Sequence, residues 1–176
     1  MKRYLDQFVI PFKGLKEGTH AFNFEVGKRF FDEYEQAAPR GGKVIVDLEL
    51  ERKTTMLVFH FRIHGHVRLV CDRCLDQYDQ QIEGSYTFIA KFSDFQESFD
   101  ESEEIIALPD DAHEYDISQQ VYEYISLLLP IKHVHSHRSK CDPEMIKRIS
   151  EEQASGSGGA FDKHRDILEQ LKKKYR

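Results

Sequence analysis

Apolar and polar residues alternate with a period of two along most of the first half of the chain, which predicts β-strands with one buried face. Short segments separate neighbouring strands, so antiparallel pairing is favoured. The residues from 27 to 38 break the alternation, because Phe30, Phe31 and Tyr34 lie at helical spacing. The predicted strands are an apolar run at 8–12, then 20–26, 44–51, 56–63, 66–70 and 82–92.

The spacing of apolar residues becomes helical after residue 116. The apolar stripe consists of Ile117, Val121, Tyr124, Ile125 and Leu128. Asp116 or Ser118 can cap the N-terminus of this helix, and Pro130 ends it. A second helix is predicted over 142–153, with Pro143 in its first turn, where helices accept proline.

The end of the chain predicts an appendage. Residues 154–160 are rich in Gly and Ser and have the composition of a flexible linker, and residues 161–176 have the pattern of a basic amphipathic helix. We therefore predict an α+β domain over 1–153, built mainly from an antiparallel β-sheet or partly open barrel with a packed helix. The linker and a C-terminal helical appendage follow it.

Composition narrows the class of protein. The chain has 176 residues, of which 40% are hydrophobic, so it has enough apolar residues to form a core. It contains no apolar run of the roughly 20 residues that a membrane span needs, and its N-terminus lacks the apolar region of a signal peptide. We therefore expect a cytoplasmic protein without a membrane partner. Three cysteines do not make a disulfide framework, so we expect reduced thiols or metal ligands.

The net charge of -6 is unevenly distributed. Residues 94–116 contain ten acidic side chains and no Lys or Arg, whereas residues 132–176 contain eleven basic and seven acidic side chains. The acidic segment is predicted to be a surface loop with some strand at 104–108. It is either a solvated surface or a binding surface for a basic partner.

The strongest chemical signal is the Cys-x-x-Cys motif formed by Cys71 and Cys74 at the end of a predicted strand. Two thiolates at this spacing can bind one tetrahedral zinc ion, but they supply only half of its ligands. The other half is available from the segment 133–141, so the candidate ligands are Cys71, Cys74, Cys141 and one of His133, His135 and His137. Such a zinc site would have a structural role. The alternative is a pair of reduced, half-buried cysteines, and a redox pair is disfavoured because no helix follows Cys74.

Other candidates are weaker. His60, His64 and His66 alternate along predicted strands, which is typical of a polar sheet face or a surface that faces nucleic acid. The basic C-terminus could bind RNA phosphates or serve only solubility; its candidate residues are Lys172, Lys173, Lys174 and Arg176. The sequence contains no phosphate-binding loop, nucleophile elbow or H-E-x-x-H motif, so we expect neither an enzyme nor a small-molecule substrate.

The segment Cys71-Asp72-Arg73-Cys74-Leu75 resembles the C-x-R-C-L signature of the bacterial YceD family, the large ribosomal RNA subunit accumulation proteins. The resemblance continues over about residues 1–150 through an acidic loop, a helix that ends in Leu-Leu-Leu-Pro and a segment with His and Cys.

This resemblance implies a cytoplasmic, non-enzymatic factor that supports accumulation of 23S rRNA and biogenesis of the large ribosomal subunit by binding rRNA or a ribosomal protein. Many members carry a cysteine-rich segment after the Leu-Pro, which would complete a zinc site. Here that segment contains only Cys141, and His135 matches a histidine of other members, which favours His135 over His133 and His137. Two other hypotheses stay open: a zinc- or thiol-dependent enzyme that uses Cys71 and Cys74, and a protein adaptor without RNA contact.

Overall fold

The alternating segments form a five-stranded β-sheet in the computed structural model, which describes residues 4–34, 39–92 and 105–156. The strands neighbour one another in the order β2-β3-β4-β5-β6, and β1 and β7 form a separate two-stranded sheet. The elements are β1 Val9–Ile10, β2 Gly18–Gly27, α1 Lys28–Phe31, β3 Gly42–Arg52, β4 Met56–Val70, β5 Gln77–Phe92, β6 Ile105–Leu108, β7 Tyr115–Asp116, α2 Ser118–Leu127 and α3 Pro143–Gly156. Short 3-10 turns occupy Tyr4–Phe8, Phe12–Gly14 and Arg138–Lys140.

The pairing is mixed. β3 pairs antiparallel with both β2 and β4, β1 pairs antiparallel with β7, and β5 pairs parallel with β6. The α+β fold class, with a mainly antiparallel sheet and a packed helix, is therefore confirmed.

The segments 56–63 and 66–70, predicted as two strands, form the single strand β4. Gly65 explains the continuity, because it has φ +141° and pairs with Val44 of β3. A Cβ atom at position 65 would lie 2.3 Å from the carbonyl oxygen of Lys43. A glycine that looks like a strand breaker in the sequence therefore lets two strands approach closely.

The apolar face of the sheet forms the core together with α2. Val46, Leu48, Phe61 and other inward-facing residues of the strands are buried. The ring of Tyr124 on α2 stacks on the ring of Tyr86 on β5, with their centroids 4.3 Å apart and their planes 2° from parallel. This packing holds the helix on the sheet by burying large aromatic surfaces.

The strand predicted at 104–108 within the acidic segment 94–116 is confirmed by β6, whereas the short strand β7 was not predicted. Residues 94–104 of this segment lie outside the described residues. Helix α3 continues to Gly156, through the first residues of the predicted linker. The rest of that linker and the predicted C-terminal helix, 161–176, lie outside the described residues.

Neither predicted cap, Asp116 or Ser118, occupies the cap position of α2, which is Ile117. Asp116 lies one residue before it, and its carboxylate accepts a hydrogen bond from the backbone N–H of Ser118 at 2.8 Å. Among the described residues, none of the helices is long and apolar enough to span a membrane.

The chain divides into two compact units, and the single domain over 1–153 stays a prediction. We call the described residues of 1–69 and 78–131 the sheet unit. The described residues of 70–77 and those from 132 onward are the cysteine unit, which contains every cysteine of the chain.

Candidate metal centre

The turn that joins β4 to β5 positions the first pair of cysteines. The backbone N–H of Cys71 donates to the carbonyl oxygen of Asp76, and the N–H of Leu75 donates to the carbonyl oxygen of Cys71, both at 2.8 Å. Leu75 has φ +65°, a left-handed conformation that is rare for residues other than glycine. The turn reverses the chain within six residues and buries the side chains of Cys71 and Cys74.

Asp72 holds the segment that carries the candidate histidines beside this turn. Its backbone N–H donates to the carbonyl oxygen of His133 at 2.6 Å, and its carboxylate accepts a hydrogen bond from the N–H of His133 at 2.8 Å. The guanidinium of Arg73 donates to the carbonyl oxygen of His135 at 2.8 Å. Both residues between the cysteines therefore bind the segment that carries the histidines.

A 3-10 turn places Cys141 next to the segment that carries the candidate histidines. The N–H of Lys140 donates to the carbonyl oxygen of His137 at 3.0 Å, and the N–H of Cys141 donates to that of Arg138 at 3.1 Å. The thiol of Cys141 at the end of this turn is buried.

Four possible ligand atoms meet at this point. Those of Cys71, Cys74, His135 and Cys141 all lie within 4.8 Å of one another. Nδ1 of His135 lies 3.5 Å from Sγ of Cys74 and 3.6 Å from Sγ of Cys141. In a tetrahedral zinc site with ordinary Zn–N and Zn–S bond lengths, a nitrogen and a sulfur ligand are about 3.6 Å apart. The spacing of these atoms therefore fits one zinc ion.

The electrostatic environment favours a thiolate at Cys71. Burial raises the pKa of this thiol, but the backbone N–H of His135 donates to its sulfur and lowers it. The N–H groups of Arg73 and Cys74 do the same, and the result is a pKa of about 6. Hydrogen bonds from backbone N–H groups stabilise the ionised form of a group, and metal binding requires the thiolate.

Cys141 has the opposite environment. Burial raises the pKa of its thiol, and the hydrogen bonds and negative charge of Cys74 and Cys71 raise it further, to about 11. Three thiolates cannot gather in a buried site unless a cation balances their charge. A divalent metal ion supplies that charge, so the donor set and its surroundings fit a Cys₃His zinc site.

The structure brings together the four residues that the family resemblance favoured as ligands. His137 is exposed, and neither its ring nor that of His133 belongs to the group. Metal binding by the four residues stays a prediction. The predicted RNA-binding residues Lys172, Lys173, Lys174 and Arg176 lie outside the described residues.

His60 and His64 lie on the polar face of the sheet. Nδ1 of His60 lies 2.9 Å from the hydroxyl of Thr87, and Nδ1 of His64 lies 3.8 Å from a carboxylate oxygen of Asp47. Over the ranges 4–34, 39–92 and 105–156, the group around Cys71 is the only gathering of three or more potential ligands. A polar sheet face therefore accounts for these histidines.

Asp72 and Arg73 are site residues that the reading of the motif missed. For Arg73 a signal was present, because the C-x-R-C-L signature includes an arginine at this position, whereas Asp72 occupies the variable position of the signature.

One comparison with known proteins gives a match. The model of the family described as "Large ribosomal RNA subunit accumulation protein YceD" matches residues 59–172, about two thirds of the chain, and this range includes all four candidate ligands. No curated protein and no solved structure matches the chain.

Proposed function

The chain belongs to the YceD family of large ribosomal RNA subunit accumulation proteins, and on that basis we propose that it supports accumulation of 23S rRNA and biogenesis of the large ribosomal subunit. Family membership is the observation that carries this proposal. The proposed location is the bacterial cytoplasm, where ribosomes assemble, and the proposed partner is rRNA or a ribosomal protein.

The proposed cofactor is one structural zinc ion held by Cys71, Cys74, His135 and Cys141. Nitrogen and sulfur donors of this kind are the ligands that zinc prefers, and four protein ligands leave no position for a substrate or a reactive water. The ligands come from two segments that are far apart in the sequence. Binding of the ion therefore stabilises the folded cysteine unit directly, since an unfolded chain does not preform such a site.

We propose a non-enzymatic role. The lowered pKa of Cys71 is the observation that favours the alternative, a thiol-dependent enzyme. Two features oppose it: the side chain of Cys71 has 0% exposure, and the residues after Cys74 lead into β5 instead of a helix. Reactive cysteines occupy partially exposed positions, so a buried thiol among three other metal-binding side chains fits a structural ligand better.

Depletion of the protein in its native cells tests the proposed role. The ratio of large-subunit to small-subunit rRNA should fall, and expression of the wild-type chain should restore it. Immunoblotting shows that the protein level changes as intended. An unchanged rRNA ratio and a normal ribosomal subunit profile after depletion would contradict the proposal.

A further inference from the structure

A cluster of basic side chains lies near the candidate metal centre in the cysteine unit. Residues 132–148 contain five basic side chains and two acidic ones, and two further acids, Glu151 and Glu152, follow on α3. All five are exposed: Lys132, Arg138, Lys140, Lys147 and Arg148.

Little of this charge is neutralised. Lys147 forms an ion pair with Glu151 at 3.8 Å, and the other four cations have no ion pair with a described residue. One of the two acids, Asp142, uses a carboxylate oxygen to accept the N–H of Glu144 at 2.9 Å, at the start of α3. Four of the five cations are therefore available to an anionic partner, and the ion pair of Lys147 is exposed to solvent, so little free energy is lost when Lys147 exchanges Glu151 for another anion.

A groove of about 370 Å³ lies among these cations. Its lining residues are Arg138, Ser139, Cys141, Pro143, Ile146 and Lys147. Arg138 and Lys147 supply positive charge and Ser139 a hydroxyl, while Pro143 and Ile146 supply apolar surface. A nucleotide needs this combination, because its phosphate is an anion and its base has an apolar face.

We propose that this groove and the surrounding cations bind the sugar-phosphate backbone of a single-stranded segment of RNA. Arg138 and Lys147 contact phosphates, and an unstacked base packs on Pro143 and Ile146. The proposal rests on the proposed function, since the family description names ribosomal RNA. A basic ribosomal protein would be repelled by this surface, so RNA is the partner that its charge favours.

The metal centre and the groove share a residue. Cys141 is a candidate zinc ligand and also lines the groove, between the 3-10 turn that carries Arg138 and the helix that carries Lys147. Fixing the thiol of Cys141 therefore fixes the two chain segments from which the cations project. A metal ion bound by these ligands would organise an RNA-binding surface without contacting RNA.

The test compares binding of fluorescent poly(U) by the full-length wild-type protein and by the double variant Arg138→Ala/Lys147→Ala, over a range of salt concentrations. The affinity of the variant should fall about 10-fold or more. Each phosphate contact on a single strand contributes about 0.7 to the slope of log affinity against log salt, so the loss of both contacts should reduce that slope by about 1.4. The charge-conserving variant Arg138→Lys/Lys147→Arg should keep the slope.

A matched control removes one Arg and one Lys from the sheet unit. Arg40 and Lys16 are exposed and form no ion pair with a described residue, so Arg40→Ala/Lys16→Ala should bind poly(U) as the wild type does. Circular dichroism confirms that each variant is folded.

Three outcomes would overturn the inference: no binding of poly(U) by the wild type, equal weakening by the control variant, or unchanged affinity and slope in Arg138→Ala/Lys147→Ala. Binding of a ribosomal protein instead of RNA would also overturn the inference. These outcomes differ from failure of the proposed function, which is an unchanged rRNA ratio after depletion. A wild-type chain that restores rRNA without binding poly(U) would overturn only the inference.

Discussion

Nδ1 of His135 lies 3.5 Å from Sγ of Cys74, although the two residues are 61 positions apart in the chain. Cys74 belongs to the turn between β4 and β5, and His135 belongs to the segment that follows α2. The hydrogen bonds of Asp72 and Arg73 hold these two parts of the chain together without any metal–ligand bond. The protein scaffold therefore places both halves of the candidate metal centre.

The first prediction concerns Asp72. Asp72→Ala removes the carboxylate that accepts the N–H of His133, so the histidine segment loses one of its attachments to the turn. Loss of a group that orients metal ligands typically lowers metal affinity 10- to 100-fold, and we expect about a 10-fold weaker affinity for zinc, measured by competition with a chromophoric chelator. Asp76→Ala is the control, because it removes an exposed carboxylate of the same turn. Equal affinities of Asp72→Ala and the wild type would contradict this role.

The second prediction concerns the left-handed conformation of Leu75. The side chain of Leu75 is 66% exposed, so its removal loses little buried surface, and glycine adopts φ +65° without steric cost. Leu75→Gly should therefore bind zinc at least as tightly as the wild type. Leu75→Val should bind it about 5-fold more weakly, because a β-branched residue in this conformation costs about 1 kcal/mol more than leucine. The same chelator competition measures both variants, and a Leu75→Gly variant that binds less tightly than Leu75→Val would contradict this explanation.

The third prediction concerns Gly65 in β4. A side chain there would collide with the backbone of β3, and φ +141° is unfavourable for any other residue. Gly65→Ala should lower the free energy of unfolding of the sheet unit by about 3 kcal/mol. Gly14→Ala is the control, because a Cβ atom at position 14 has no other atom within 4 Å. Urea unfolding followed by circular dichroism gives both values, and equal stabilities of the two variants would show that the strands can separate at Gly65 without cost.

The fourth prediction concerns thiol reactivity. All three cysteines are buried, and a metal ion would occupy their sulfur atoms, so iodoacetamide should alkylate the zinc-loaded protein slowly. Removal of the metal with a chelator should increase the alkylation rate at least about 10-fold, since the sulfur atoms are then no longer bonded to a metal ion. Mass spectrometry after timed labelling follows each cysteine. Rapid alkylation of Cys71 in the zinc-loaded protein would favour the thiol enzyme.

The strands of the sheet could be predicted because one of their faces is buried. Val44, Val46 and Leu48 point to the core, and the polar residues between them face away, which produces the alternation. The continuity of β4 could not be predicted, because the conformation of Gly65 depends on its contact with β3. A single sequence does not show which strand lies beside a glycine.

Half of the candidate metal centre could likewise be predicted from local spacing. Two cysteines separated by two residues can place their sulfur atoms together in one tight turn, whatever the rest of the fold. The choice among the histidines is different, because His133, His135 and His137 alternate along the chain and residues at this spacing project to the same side. Family resemblance favoured His135, and in the structure the guanidinium of Arg73 donates a hydrogen bond to its carbonyl oxygen, while Asp72 accepts one from the backbone N–H of His133.

The zinc content of the purified protein tests the central claim most directly, when the protein is prepared without a metal-affinity tag and analysed by elemental mass spectrometry. We expect close to one equivalent of zinc per chain in the wild type and in His137→Ala, whose side chain lies outside the group. His135→Ala and Cys141→Ser should each lose most of the zinc. Less than about a tenth of an equivalent in the wild type, or an unchanged zinc content in His135→Ala, would contradict a Cys₃His centre, because structural sites retain their zinc through purification.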